Sequence, residues 1–287
     1  MPTSAPPIRL YQIYYDQETR QIGDPAFIPL DNLANERPDW SEYWPIRRLL
    51  LKERFTDDTY LGIFSPRFGE KTGMSGTQVV DVVSRSTADI ISFSPFFDQN
   101  ALHQSSFHQG EAHHEGLIPC CQAVADVLNL DLKLQELVAD QTTSLFTNAF
   151  VARYSFWKVW FLAAEKIFRI CEKVEGPLGE ALSSGTLHGG EESTPMKVFV
   201  LERLVNLLME HMGLHASIGI DLHKAPMSLM GTVDMIPGLV ACDALKGQFR
   251  RTGIALYRDV YVSHRNHIAR TLANAGIPSY GLRSYVV

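Results

Sequence analysis

Arg67 and Lys71 stand in Tyr60-Leu-Gly-Ile-Phe-Ser-Pro-Arg-Phe-Gly-Glu-Lys-Thr-Gly73, where a short apolar run passes straight into a turn-rich loop. Two cations beyond the carboxyl end of an α/β strand are placed to meet an anion, and a phosphate suits them. Neither GxGxxG nor GxxxxGK[ST] is present, so residue chemistry points to an anion site and goes no further. Downstream, Asp98-Gln-Asn100 offers two oxygen ligands one residue apart. In an extended loop such a pair can share a hard divalent cation, which in turn screens a diphosphate. The triplet is a DxD with Asn in the second place, and an ordinary loop turn is its bland alternative.

His103, His108, His113 and His114, with Glu111 and Glu115 between them, invite a metal reading of residues 98–115. Five-residue intervals would put three of these histidines on different faces of a helix, and HExxH is absent, so surface histidines are the simpler expectation. There is no GxSxG elbow and no sequence context that marks a nucleophilic Ser or Cys. Glu202 and Arg203 lie side by side in an otherwise apolar helical pattern. Adjacent helical positions point about 100° apart, so at least one of them must border the core or a cleft, as a structural ion pair or as substrate-binding groups. Arg258, His264, Arg265, His267 and Arg270 make a basic C-terminal helix that could meet an anionic head group or be a solvated face.

The elements that must hold these residues follow from periodicity. Residues 9–15 read as an aromatic-rich central strand, 59–64 as a second strand and 88–93 as a third. Asp24 to Asp39 has the chemistry of a loop, and Trp44-Pro45 opens a helix carrying Ile46, Leu49 and Leu50. Ser75-Gly-Thr-Gln78 is a capping box in front of Val79, Val80, Val82 and Val83. The order strand, helix, strand, helix, strand favours an α/β sheet with covered faces. Residues 95–116 show no period, 117–137 look helical and 144–152 read as an apolar strand. Phe156, Trp157, Trp160, Phe161, Ala164 and Phe168 then form the aromatic face of a helix, suited to a core or to a dimer interface. Residues 183–193 read as a solvated loop or an active-site lid. Thr194-Pro195 starts a helix over 195–212, and two more helical patterns cover 238–251 and 254–274.

The chain has 287 residues, a formal charge of −6 and four cysteines without CxxC spacing. That balance argues against broad electrostatic attraction to nucleic acid, and the cysteine usage fits a reducing cytoplasm better than a disulfide scaffold. Met1 to Pro7 lacks the order of a signal peptide, and no apolar run reaches the length of a membrane span. The expectation is one domain over 1–287, with a flexible tail at 1–7 and a mainly helical extension at 213–287. Its expected location is cytoplasmic, with peripheral membrane contact left open.

Several segments together resemble a GT-A-like bacterial glycosyltransferase of the polysaccharide-locus type. They are Tyr11-Gln-Ile-Tyr-Tyr-Asp16, Ile28-Pro-Leu-Asp-Asn32, Arg37-Pro-Asp-Trp40, Glu42-Tyr-Trp-Pro-Ile46 and the Tyr60–Gly73 stretch. Ala88-Asp-Ile-Ile-Ser-Phe-Ser-Pro95, Asn148-Ala-Phe-Val-Ala152 and Pro195-Met-Lys-Val-Phe-Val-Leu-Glu-Arg203 continue the series, so the likeness covers roughly residues 8–212. It implies a Rossmann-like central sheet flanked by helices and transfer of a hexosyl group from a nucleotide-diphosphate sugar to a hydroxyl of a saccharide or lipid-linked saccharide. It implies further that Tyr11, Tyr14 and Asp16 lie near the nucleotide, Arg67 and Lys71 near the diphosphate, and Asn148 at the donor sugar. Asp98 would hold Mn²⁺ or Mg²⁺, no organic cofactor being needed, and Glu202 would serve as base or acceptor-orienting carboxylate with Arg203 holding it. The chain departs from the family in lacking a full DxD. Two other readings stay open: a metal-dependent hydrolase using residues 98–115, and a non-catalytic nucleotide-sugar-binding protein on a transferase-like fold.

Overall fold

The computed structural model describes residues 5–188, 192–228 and 235–277. In chain order the first elements are β1 (Ile8–Tyr14), α1 (Gln17–Gln21), β2 (Ile28–Asp31), a 3₁₀ turn (Pro38–Trp40), α2 (Tyr43–Lys52), β3 (Tyr60–Phe64), α3 (Phe68–Thr72), α4 (Gly76–Arg85) and β4 (Ile90–Ser92). There follow α5 (Phe97–Leu102), α6 (Ser106–Glu111), α7 (Leu117–Leu128), β5 (Phe150–Arg153), α8 (Tyr154–Lys173) and α9 (Gly176–Ser183). The last are β6 (Gly185–His188), β7 (Glu192–Pro195), α10 (Met196–Met212), β8 (Ser217–Ile218), α11 (Ile236–Thr252) and α12 (Ala255–Asn274). They fall into two compact units, each assembled from separate stretches of chain.

The first unit comprises the chain up to Pro95 with Leu145–Glu180 and His215–Ala225, and it is an α/β unit. Its six-stranded sheet runs β2-β1-β3-β5-β4-β8 and is mixed: β1 pairs in parallel with β2 and β3, β4 with β8, while β5 lies antiparallel between β3 and β4. Helices cover it. Val79 and Val83 of α4 pack with Leu10, Tyr60, Phe64, Phe93 and Val151. Trp157 of α8 stacks on Phe150 at 5.0 Å and donates from Nε1 to the Leu61 carbonyl at 2.8 Å. β3 is buried along its whole length, as expected of an interior strand covered on both sides. The helix α2 is held to α8 by Arg47 and Tyr43, both bonded to Glu165.

The capping box expected at Ser75 is present, with Ser75 Oγ accepting from the Gln78 N–H and Gln78 Oε1 accepting from the Ser75 N–H. The loop expected over 24–39 instead contains β2. A proline cannot donate to a ladder, but β2 is an edge strand, where Pro29 opposite Gln12 is tolerated. The strand expected over 144–152 begins only at Phe150, because Thr147 takes a left-handed backbone conformation (φ 60°). Pro7, placed in the flexible tail by the sequence, accepts from the Tyr60 N–H at 2.8 Å and so extends the β1–β3 pairing; residues 1–4 lie outside the described residues.

The second unit comprises Phe96–Ser144, Ala181–Leu214 and the chain from Pro226 onward, so the expected helical extension is interrupted where 215–225 returns to the first unit with β8. It is mainly helical. α11 packs on α12 and on α5, and α10 packs on α6 and α7. The aperiodic stretch 95–116 holds α5 and α6, too short to display a period. The helix expected over 117–137 stops at Leu128, where Asn129 takes the left-handed conformation (φ 58°) that ends helices. The loop expected over 183–193 is for the most part the β6–β7 hairpin, with 189–191 outside the described residues. Thr194 is a strand residue opposite Thr186, and Pro195 takes the N-cap position of α10 without a side-chain cap. No helix among the described residues is long and apolar enough to cross a membrane.

Candidate functional site

In the first unit the chain steps from β1 to β2 on one side and from β2 to β3 on the other, which makes the carboxyl ends of β1 and β3 the topological switch point. The crevice there is filled by the protein's own groups. Gln12 donates from Nε2 to the carbonyls of Ser65 and Pro66 at 3.2 and 3.1 Å, and its Oε1 accepts from the Asp24 N–H at 2.7 Å. Asp24 in turn accepts from the N–H of Gly76, first residue of α4, at 2.7 Å. A Cβ on residue 76 would come within 2.6 Å of Asp24 Oδ1, so glycine is what lets the carboxylate seat there. The positive end of α4 is thereby satisfied internally.

The open groups lie one strand further along the same edge. Glu42, Ser65, Phe68, Lys71, Thr72, Thr147, Asn148 and Ala149 line a narrow cleft. A water-sized sphere can occupy about 10 Å³ of it, room for one water or one hydroxyl. Asn148 donates from Nδ2 to Glu42 Oε2 at 2.7 Å. Thr147, a β-branched residue at φ 60°, turns the chain just ahead of Asn148, a conformation costing of order 1–3 kcal/mol that is concentrated at functional sites. Lys71 lines the cleft without pairing to any carboxylate among the described residues. Thr72 Oγ1 is engaged by its own helix, donating to the Phe68 carbonyl at 2.8 Å.

The structure sorts the residues expected from the sequence. Lys71 and Asn148 meet in the cleft. Arg67 precedes α3 with a side chain 70% exposed, 3.9 Å from Glu70. Tyr11 and Tyr14 are three residues apart on one strand and so point to opposite faces of the sheet. Tyr11 sits edge-on to Phe55, and burial raises its pKa; Tyr14 lies under the Arg20 guanidinium at 5.6 Å. The two therefore cannot flank one nucleotide base together. Asp16 caps α1, accepting from the Thr19 N–H at 2.7 Å, and these bonds hold its carboxyl below the usual range.

Asp98, Glu202 and Arg203 belong to the second unit. Asp98 and Asn100 sit on α5 rather than in an extended loop, and positions two apart on a helix diverge. Asp98 is buried and accepts from the Ser228 N–H at 3.3 Å and hydroxyl at 3.1 Å, while the Asn100 amide donates to Gln141 Oε1 at 2.5 Å. The pair does not fit a shared cation. Arg203 is buried and donates to the carbonyls of Ser106 and Phe199 at 3.2 and 3.1 Å and to Gln109 Oε1 at 3.2 Å. Glu202 lies 3.6 Å from it. Gly110 leaves the space Arg203 needs, since a Cβ there would come within 2.5 Å of its Nε. Arg203 thus fastens α10 to α6.

Of the histidines expected at the surface, His113 is exposed, whereas His103, His108 and His114 are interior groups. Burial drives the pKa of His103 down to about 3 and lowers that of His108. His108 Nε2 lies 3.2 Å from the Gln135 carbonyl, which makes it the protonated nitrogen, and Nδ1 accepts from Ser105 at 2.8 Å. His114 stacks on Phe199 at 3.6 Å. Among the described residues no three His, Cys, Asp or Glu side chains gather where they could share a metal ion. All four cysteines are buried and none is in a disulfide, and burial pushes the Cys121 thiol up to about 12.

Glu42 and Gln12 escaped the sequence reading as site residues. Glu42 stands ahead of Tyr-Trp-Pro at the N-cap of α2, where an acid ordinarily caps; its side chain makes no cap bond and reaches Asn148 instead. Only the absence of that duty distinguishes it, and a sequence does not show this. In comparisons with known proteins, no family model, curated protein or solved structure matches the chain.

Proposed function

We propose that the chain is a glycosyltransferase that moves a sugar from a nucleotide-diphosphate donor to a hydroxyl of a saccharide or lipid-linked saccharide in surface-polysaccharide assembly, working in the cytoplasm. The observation that carries this reading is the cleft at the carboxyl edge of the sheet, which Lys71 lines together with the hydrogen-bonded Glu42–Asn148 pair. Glycosyl transfer passes through an oxocarbenium-like state while a diphosphate departs. Lys71 supplies a cation for the departing charge, with Arg67 on the same helical turn in reach of solvent-side phosphate oxygens. The acceptor groups of Asn148 and Glu42 suit the hydroxyls of a sugar.

The test is thermal unfolding of the purified chain with UDP, GDP, UDP-glucose and GDP-mannose, each with and without Mg²⁺ or Mn²⁺. A ligand that binds only the folded state stabilises it by roughly 2.7 kcal/mol at a hundredfold excess over its dissociation constant. Selective stabilisation by one nucleotide sugar, lost in Lys71→Ala, is the expected result. Stabilisation by zinc alone, with no response to any nucleotide, would replace this reading with the hydrolase.

A further inference from the structure

The Glu42–Asn148 bond decides which end of an amide the cleft presents. A carboxylate only accepts, so Glu42 Oε2 at 2.7 Å takes the amino group of Asn148 and leaves Oδ1 as the acceptor for whatever enters. Asn148 Oδ1 accepts no hydrogen bond among the described residues. Two further features reinforce the arrangement. Thr147, the residue before Asn148, has its own backbone in the left-handed region, and Ala149 continues into the β4–β5 ladder by accepting from the Phe93 N–H at 2.8 Å. Asn148 is thus pinned on both sides along the chain and at its side chain.

Resting on the transferase reading, we propose that Glu42 is a positioning residue that locks the Asn148 amide so that Oδ1 reads a single sugar hydroxyl, in a subsite apart from the phosphate. Charge favours a hydroxyl there. The wall formed by Glu42 and Asn148 is rich in acceptors, and a phosphate against it would meet a negatively charged carboxylate that can only accept. Lys71 is the group of the cleft that attracts phosphate. Size agrees as well, since the enclosed part of the cleft has room for one hydroxyl-sized group. Discrimination of this kind is effective because an analogue that lacks the hydroxyl leaves a polar group unpaired.

The side-chain amide resonance of Asn148, identified by its loss in Asn148→Ala, tests the proposal. The probes are methyl glucoside, galactoside and mannoside on one arm and inorganic pyrophosphate on the other. One methyl glycoside is expected to shift the resonance and pyrophosphate to leave it in place. Glu42→Ala should weaken that glycoside roughly tenfold while pyrophosphate binds as before, and Glu42→Gln, which keeps an acceptor carbonyl, should restore most of it. A response of Asn148 to pyrophosphate, silence towards all three glycosides, or unchanged glycoside binding in Glu42→Ala would each overturn the assignment. Failure of the transferase reading has a different signature: the glycoside response persists while no nucleotide sugar binds. Equal unfolding midpoints in urea for the Glu42 variants and the parent chain show that the losses are not losses of fold.

Discussion

Asp24 closes the positive end of α4: its Oδ2 accepts from the Gly76 N–H at 2.7 Å, across a sequence separation of 52, while Oδ1 accepts from the Ala26 N–H at 2.9 Å. The start of a helix beyond the carboxyl end of a strand is where many α/β proteins hold a phosphate, and at α4 an internal carboxylate stands in that place. An anionic ligand must then be met by side chains, which directs attention to Lys71 and Arg67.

Asp24→Ala should cost about 1–2 kcal/mol of stability, the usual worth of a charged group that satisfies helix N–H donors. Urea unfolding measures it, and Asp24→Asn should lose less because an amide oxygen still accepts. An unchanged midpoint for Asp24→Ala would mean that Ser75 alone sustains the start of α4.

Arg67→Ala should leave stability within about 0.5 kcal/mol, since its side chain is 70% exposed and its pairing with Glu70 is long. Lys71→Ala should weaken pyrophosphate about ten- to a hundredfold, the worth of one charge-assisted bond in a cleft. Calorimetric titration separates the two: Lys71 governs affinity, and loss of turnover with near-normal affinity in Arg67→Ala would place that residue in the transfer step.

His103 gives acid sensitivity a defined window. Its folded pKa of about 3 lies below the unfolded value of 6.5, so the unfolded chain takes up a proton between these values and the folded chain does not. The stability this represents is fully present above pH 6.5 and drains away as pH falls towards 3, with His108 adding in the same direction. His103→Gln should flatten the dependence of the urea midpoint between pH 7 and pH 5.

Lys246 acts at the alkaline side. It is buried, bonded to the carbonyls of Asn100 and His103, and faced by Asp243, Asp140, Cys242 and Arg250. Burial brings its pKa down to about 8 from 10.5. Above pH 8 the folded state sheds this proton first, so the unfolded state binds more protons and stability rises with pH. The rise is read between pH 8 and 9, because above 9 the buried thiols Cys242 and Cys121, pushed up to about 11 and 12, work in the opposite sense. Lys246→Met should abolish the rise.

The amino-acid sequence alone determined what is decided within a turn or a strand. Ser75 and Gln78 find each other three residues apart, β1 and β3 announce themselves by apolar β-formers, and Trp157 and Trp160 repeat at the helical period. Lys71 and Asn148 were also legible as polar groups beside strands, and the structure brings them into one cleft. Tertiary structure alone decided the rest. Pro29 is admissible in β2 only because that strand ends the sheet, and β5 enters antiparallel between β3 and β4 although it follows both in the chain. Asp98 and the histidines of 103–114 read as exposed groups because polar side chains ordinarily face water, yet the second unit buries Asp98, His103, His108 and His114 and leaves only His113 of this set exposed. Glu42 and Asn148 are separated by 106 positions. Nothing local relates them: helix and turn signals act over three or four residues, whereas which carboxylate meets which amide depends on how the sheet returns the chain upon itself.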